Sequence, residues 1–244
     1  MSALLAVYLR EMLILRRRLG RQILAMSVSP LLYVLTFGLA LGSSVQVDGR
    51  AYLEFLIPGL AAMSSMTQAF AMAGEINVAR FYLHVFEEFQ AAPVPRLSYV
   101  LGETLAGLTR ALLAISIVLL LGLIFGVKLN YGLAFWGALV LNAVAFASLA
   151  VAMAMLVKTH ADQALLNNFI ITPMAFLGGT FFPLESLPAW ASSILSLLPL
   201  SHASKAARNG AFGLDTPLSA YLYLAAAAVM FIFLAIWAVS KARD

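Results

Sequence analysis

Six apolar runs constrain this chain more than any other feature. They fall at 23–41, 55–73, 100–125, 131–157, 164–182 and 218–239, and each is about the length a bilayer-crossing helix needs, roughly 20 residues. Inside lipid every backbone N–H and C=O must be satisfied within the protein, so such runs fold as helices. Hydrophobic residues make up 63% of the 244, and charged residues only 11%, against about 25% in a soluble domain. The predicted fold is an all-α integral membrane protein with six transmembrane helices and no water-soluble domain. There is no cysteine, so disulfides, thiol chemistry and Cys-based metal sites are excluded. The net charge of +4 is scattered over loop ends and the N-terminus, which fits membrane topology and gives no nucleic-acid surface.

Residues 1–22 read as an amphipathic helix lying at the membrane surface. Leu4, Leu5, Tyr8, Leu9, Met12, Leu15 and Leu19 share one side of a helical wheel, and Arg10, Arg17 and Arg21 lie opposite, a pattern suited to anionic headgroups. A generic positive-inside anchor has the same pattern. With both termini cytoplasmic, eleven of the fifteen Lys and Arg fall inside, leaving Arg50, Lys128, Lys205 and Arg208 outside. Glu103 and Arg110 sit on one face of the third span, about 10 Å apart along the axis and too far for a direct pair. Their place near the cytoplasmic end predicts snorkelling or pairing with the adjacent loop. Pro30 interrupts the first span, Asn142 is the strongly polar residue of the fourth, and Asn167, Asn168, Thr172 and Pro173 lie in the fifth.

Two polar interruptions carry the functional signal. The first runs from Glu75 to Tyr99. Phe81, Val85 and Phe89 recur at four-residue spacing with Phe86 beside them, and Glu87 and Glu88 follow. This predicts a short helix over 81–92 that Pro93 stops. From the residues alone, a loop helix resting at the interface and a helix that docks on a soluble partner both fit. The second interruption is Gly178-Gly179-Thr180-Phe181-Phe182-Pro183-Leu184-Glu185-Ser186-Leu187-Pro188-Ala189-Trp190. Prolines bracket an apolar helix too short to cross, with Trp190 at the interface. Segment 183–200 therefore reads as re-entrant or interfacial.

Both stretches resemble the ABC-2-type transporter permeases. In that family an acidic pair and an Ala-Pro-Val run, here Glu87-Glu88 and Ala92-Pro93-Val94, mark the loop holding the coupling helix, which docks on a separate ATPase. Phe89-Gln90 stand where two leucines are usual, and Arg80-Phe81-Tyr82-Leu83-His84 replaces the usual upstream motif. The family's fifth span is followed by a run similar to Gly179 through Trp190 and then by one similar to Leu198-Pro199-Leu200. The resemblance implies the membrane subunit of an exporter in a bacterial or archaeal inner membrane. Coupling would involve Phe86, Glu87, Glu88, Phe89, Pro93 and Val94. The outer re-entrant motif would involve Gly178, Gly179, Pro183, Pro188 and Trp190, and residues 1–22 would form the connecting helix. It further implies a second copy of the chain, two ATPase subunits that carry ATP and Mg, and an amphiphilic or lipid-linked substrate.

The chain supplies no catalysis of its own in this reading. It has no Gly-Lys dipeptide and hence no Walker A loop. His84, His160 and His202 belong to three separate loops, and no metal or cofactor site is expected. A gradient-driven carrier and a membrane-embedded lipid-modifying enzyme remain as alternatives. The first normally needs ionisable groups near mid-membrane, and the second needs polar residues converging at one depth.

Overall fold

A computed structural model describes residues 2–41, 45–47, 49–83, 86, 89, 91–92 and 94–243, without the side chains of 39–41 and 243. Helix α1 (Ala3–Arg17) starts where the Ser2 hydroxyl accepts from the Leu5 N–H, 3.4 Å away. Arg16 and Arg17 occupy its last turn, where positive charge complements the helix dipole. Arg18 leaves helical geometry, and α2 (Leu19–Leu41) restarts at once. The predicted 1–22 helix is thus divided, and Arg21 belongs to α2. The buried side of α1 is Val7, Glu11 and Leu15. Leu5, Leu9, Leu13 and Leu19 are exposed, so the face turned to the bundle is rotated from the most hydrophobic one and carries a carboxylate.

A two-stranded antiparallel ribbon, β1 (Gln46–Val47) and β2 (Arg50–Ala51), turns the chain, with Gly49 at φ 74° in a region few other residues enter without strain. Helices α3 (Tyr52–Phe70) and α4 (Met72–Phe81) follow almost without a break. Over an apolar 18-residue window, 83% of the residues within Tyr52–Phe81 are buried, against 17% within Leu19–Gly38 and 33% within Leu218–Ala242. It is therefore the central column, and the other two are peripheral. Helix α4 also carries the chain past Glu75, the expected return to water, as far as Phe81.

Helices α5 (Arg96–Ile124) and α6 (Leu133–Leu156) pack on that column. Close approach depends on small residues: a Cβ on Gly107 would lie 2.7 Å from that of Ala147. Asn142 is fully buried; its amide donates to Ser65 Oγ at 2.8 Å and to the Ala62 carbonyl at 3.2 Å, which makes a polar residue tolerable there. Helix α11 (Leu218–Arg243) lies along α6.

Among the described residues five helices are long and apolar enough to cross a membrane: Leu19–Gly38, Tyr52–Phe81, Arg96–Ile124, Leu133–Leu156 and Leu218–Ala242. The span expected at 164–182 is instead assembled from pieces: α7 (His160–Leu166), a π-helical turn (Asn167–Ile171) and α8 (Thr172–Leu177). Pro173 has no N–H to give to the residue four back. In the π-helical turn just before it the Thr172 N–H and Oγ1 both reach the Asn167 carbonyl, the hydroxyl at 3.1 Å. Beyond it come a 3-10 turn (Leu184–Ser186), α9 (Ala189–Leu195) and α10 (Pro199–Phe212). The short helix after Pro188 is as expected. Helix α10 holds Lys205 and Arg208, which the sequence placed only on the outer side; its buried side is mostly alanine and serine, too weakly apolar to stand out.

Candidate functional site: the 82–97 loop and its charged seat

The loop after α4 is fastened to the bundle through aromatic rings. Phe86 is only 6% exposed and meets the Tyr99 ring edge-on at 5.7 Å. Phe89 meets the same ring at 5.4 Å, and the Arg10 guanidinium lies over Phe89 at 5.7 Å. Tyr99 belongs to α5 and Arg10 to α1, so one loop grips two helices. Arg80 fixes the approach: it lies over Phe86 at 5.9 Å and donates to the carbonyls of Ala154 and Met155, at 3.1 and 2.8 Å. Those carbonyls end α6 and have no partner within the helix. Phe86 and Phe89 thus face the bundle. The outward apolar surface nearby is Tyr82, Leu83 and Leu97, at 66%, 61% and 51% exposure. Val94 is half-buried. Glu87, Glu88 and Pro93 lie outside the described residues.

Beneath the loop is a cavity of about 330 Å³ whose lining includes Arg10, Glu11, Glu75, Phe86, Tyr99 and Glu103. Arg110 makes a bidentate pair with Glu75, and Arg10 pairs with Glu11. Glu103 and Arg110 are each only 2% exposed. Neither snorkels; Arg110 does pair at the edge of the loop region, with Glu75. Burial pushes the Glu11 carboxyl above its ordinary value, against the lowering pull of Arg10 and Arg110. Sequence reading missed this cluster because Glu75 and Arg110 are 35 positions apart. A second tie holds α4 to α7, where Asn77 donates to Gln163 at 3.1 Å. Of the basic residues predicted on the first helix, Arg10 joins this cluster, and Arg17 and Arg21 are exposed.

At the far end of the bundle the glycine-proline motif is built around Arg208. Its Nε donates to the Phe55 carbonyl at 3.0 Å and its Nη2 to the carbonyls of Gly179 and Thr180. A Cβ on Gly178 would lie 2.6 Å from Leu200, and Gly179 has φ 76°, so each glycine has its own steric reason. Pro183 opens the 3-10 turn, Pro188 caps α9, and Trp190 is 71% exposed.

A multi-pass helical bundle, a basic surface helix, a loop held against it at one end and a proline-bracketed short helix at the other together define a membrane transport protein of permease type. The chain belongs to the ABC-2 type transporter family, whose profile matches residues 2–212. It is similar to the inner membrane transport permease YadH of Escherichia coli K12, with 32% identity over 191 residues, 77% of this chain and 74% of that one. It also resembles nodulation protein J of Rhizobium meliloti, 33% identical over 82% of this chain and 77% of that one, and of Rhizobium leguminosarum bv. viciae, 32% identical over 82% and 78%. The chain is therefore a membrane-embedded transporter subunit.

Proposed function

We propose that this chain is the permease of an ATP-driven exporter in a bacterial or archaeal inner membrane, with both termini cytoplasmic and 164–182 completing a sixth crossing. A second copy and two soluble ATPase subunits, which bind ATP and Mg, complete the transporter. The observation that carries this reading is the double grip of the 82–97 loop: outward Tyr82, Leu83 and Leu97 over inward Phe86 and Phe89. The outward residues, with Glu87, Glu88 and Val94, form the docking surface, and Pro93 sets the exit of the chain. The inward aromatics pass its displacement on. A push on the loop reaches α5 through Tyr99, α1 through Arg10 and the end of α6 through Arg80. Packed helices and ion pairs with discrete arrangements are the physical means by which such a push can be carried.

The route for cargo follows two cavities that share Thr67 and Thr172. One, of about 350 Å³, is lined by His160, Gln163 and Asn167; the other, of about 220 Å³, by Ser29, Tyr33, Ser64 and Gln68. Among the described residues no Asp, Glu, Lys or Arg lines either. Hydroxyls, amides and aromatic rings in an apolar wall suit an amphiphile. The absence of a lining carboxylate weighs against a gradient-driven carrier.

The chain lacks cysteine, so single cysteines can be placed without background. Leu83→Cys and Leu97→Cys are expected to crosslink to the co-expressed ATPase, and Leu214→Cys is not. Crosslinking from Leu214 and not from Leu83 or Leu97 places the ATPase at the other end and refutes the assignment.

A further inference from the structure

At the end of the bundle away from α1 lies a cavity of about 310 Å³ that the transport reading leaves unused. Three cations line it, Arg50, Lys205 and Arg208, against a single carboxylate, Glu185. That carboxylate is held by Lys205 at 2.6 Å, and both side chains are largely exposed at the mouth. Arg208 is the anomaly. It is only 8% exposed, yet its partners are backbone carbonyls rather than an acid. Among the described residues its second terminal nitrogen, Nη1, has no hydrogen-bond partner. A buried cation ordinarily has a counter-charge, because desolvation without one is costly.

The guanidiniums are also held in place. Arg208 lies 3.7 Å over the Phe55 ring and Arg50 lies 4.2 Å over the Phe212 ring. Stacking on a ring fixes the guanidinium plane, and with Nε and Nη2 taken by backbone carbonyls Arg208 keeps Nη1 for an oxygen in the cavity. Two guanidiniums and one ammonium, from β2 and α10, offer donors from more directions than the two coplanar oxygens of a carboxylate can accept. The remaining walls are apolar, with Phe212, Leu184 and Leu214 among them, and Leu214 is 55% exposed.

We infer that this far-end cavity binds an amphiphile whose headgroup is a phosphate with no cation of its own, with the phosphate on Arg50, Lys205 and Arg208 and the hydrocarbon along Phe212 and Leu214. Glu185 is the resident competitor for Lys205. A membrane phospholipid and free phosphate share the headgroup chemistry; only the first uses the apolar wall.

The test takes the full chain in a neutral detergent and needs no ATPase, so it stands or falls apart from the transport reading. Retained lipid is counted by native mass spectrometry across titrations of phosphatidylglycerol, phosphatidylcholine with the same acyl chains, and inorganic phosphate. Wild type is expected to hold phosphatidylglycerol at least about tenfold more tightly than either of the others, because phosphatidylcholine brings a quaternary ammonium that the three cations repel and free phosphate leaves the apolar wall uncovered. Arg50→Gln with Lys205→Gln should lose about tenfold or more, and Glu185→Gln should gain about three- to tenfold by freeing Lys205. Arg208 is left alone because it also ties Phe55 to the Gly179–Thr180 backbone. Should the double variant fail to fold, the surface change Glu185→Gln still decides: unchanged or weaker binding there overturns the site. Equal retention of the two lipids overturns it as well, and phosphate binding as tightly as phosphatidylglycerol overturns the amphiphile.

Discussion

Removing Arg110 is the sharpest perturbation of the seat beneath the loop. Arg110 is 2% exposed, grips Glu75 bidentately, and also acts through space on Glu11 and Glu103. Arg110→Ala leaves Glu11, Glu75 and Glu103 with Arg10 as the remaining nearby cation. Breaking a buried pair by deleting one partner costs about 3–5 kcal/mol, because an uncompensated charge stays behind. The reverse deletion is milder. The Glu75 side chain is 36% exposed, and Arg110 keeps two other carboxylates within reach, so Glu75→Ala is expected to cost about 1–2 kcal/mol, near the worth of a charge-assisted hydrogen bond. Arg110→Ala with Glu103→Ala should recover part of the single loss, since it removes the charge left without a partner; neighbours in one network are non-additive in this sense. The assay is reversible unfolding in mixed detergent micelles, followed by circular dichroism. If Glu75→Ala proves the costlier change, or if the double variant is no better than Arg110→Ala alone, the cluster does not work as a shared charge balance.

Further outcomes follow from other parts of the fold. A Cβ on Gly59 would lie 2.5 Å from Arg208 Nη2 and 2.7 Å from the Thr180 carbonyl, so Gly59→Ala should lower stability by about 1–3 kcal/mol, read from the same micelle unfolding curve; a neutral result contradicts the packing at the far end. Arg80→Ala leaves the α6 carbonyls unpaired at a cost of about 1–3 kcal/mol and should lower substrate-stimulated ATPase activity more than basal activity. Phe89→Ala combined with Glu88→Ala should cripple transport in liposomes with the protein still folded, beside Lys128→Ala as control; wild-type transport removes that pair from coupling. Reporter fusions in the 82–97 loop should report cytoplasm and fusions at Lys205 the outside, and the opposite pattern overturns the orientation.

Local signals carried much of this structure. Apolar length gave away the five long helices but not the broken 164–182 stretch, and Pro183, Pro188 and the paired glycines marked the short far-end helix, because each acts through its own backbone. The polar interruption between α4 and α5 was equally legible. Which way it faces was not: Phe86 and Phe89 look like an outward stripe on a wheel, and only the position of Tyr99, ten or more residues on, shows that they point in. The charged seat was hidden for the same reason, since Glu75 and Arg110 become partners only when the α3–α4 column packs on α5 through α3. Pro173 was visible as a breaker, but whether a helix kinks, stops or widens into a π turn depends on who takes the freed carbonyl. Here the helix widens, and Thr172 closes the wide turn on the Asn167 carbonyl. Arg208 was placed in a polar loop, where nothing nearby in sequence hints that its partners are the carbonyls of Phe55, Gly179 and Thr180.

The central claim is that this chain moves cargo only when a separate ATPase drives it. Proteoliposomes test that directly: uptake of a fluorescent amphiphile is followed with the chain alone under an imposed proton or sodium gradient, and with its cognate ATPase plus ATP and Mg. The account predicts no gradient-driven movement and no ATP hydrolysis by the chain alone, and ATP-dependent movement once the partner is present. Gradient-driven movement by the chain alone contradicts it.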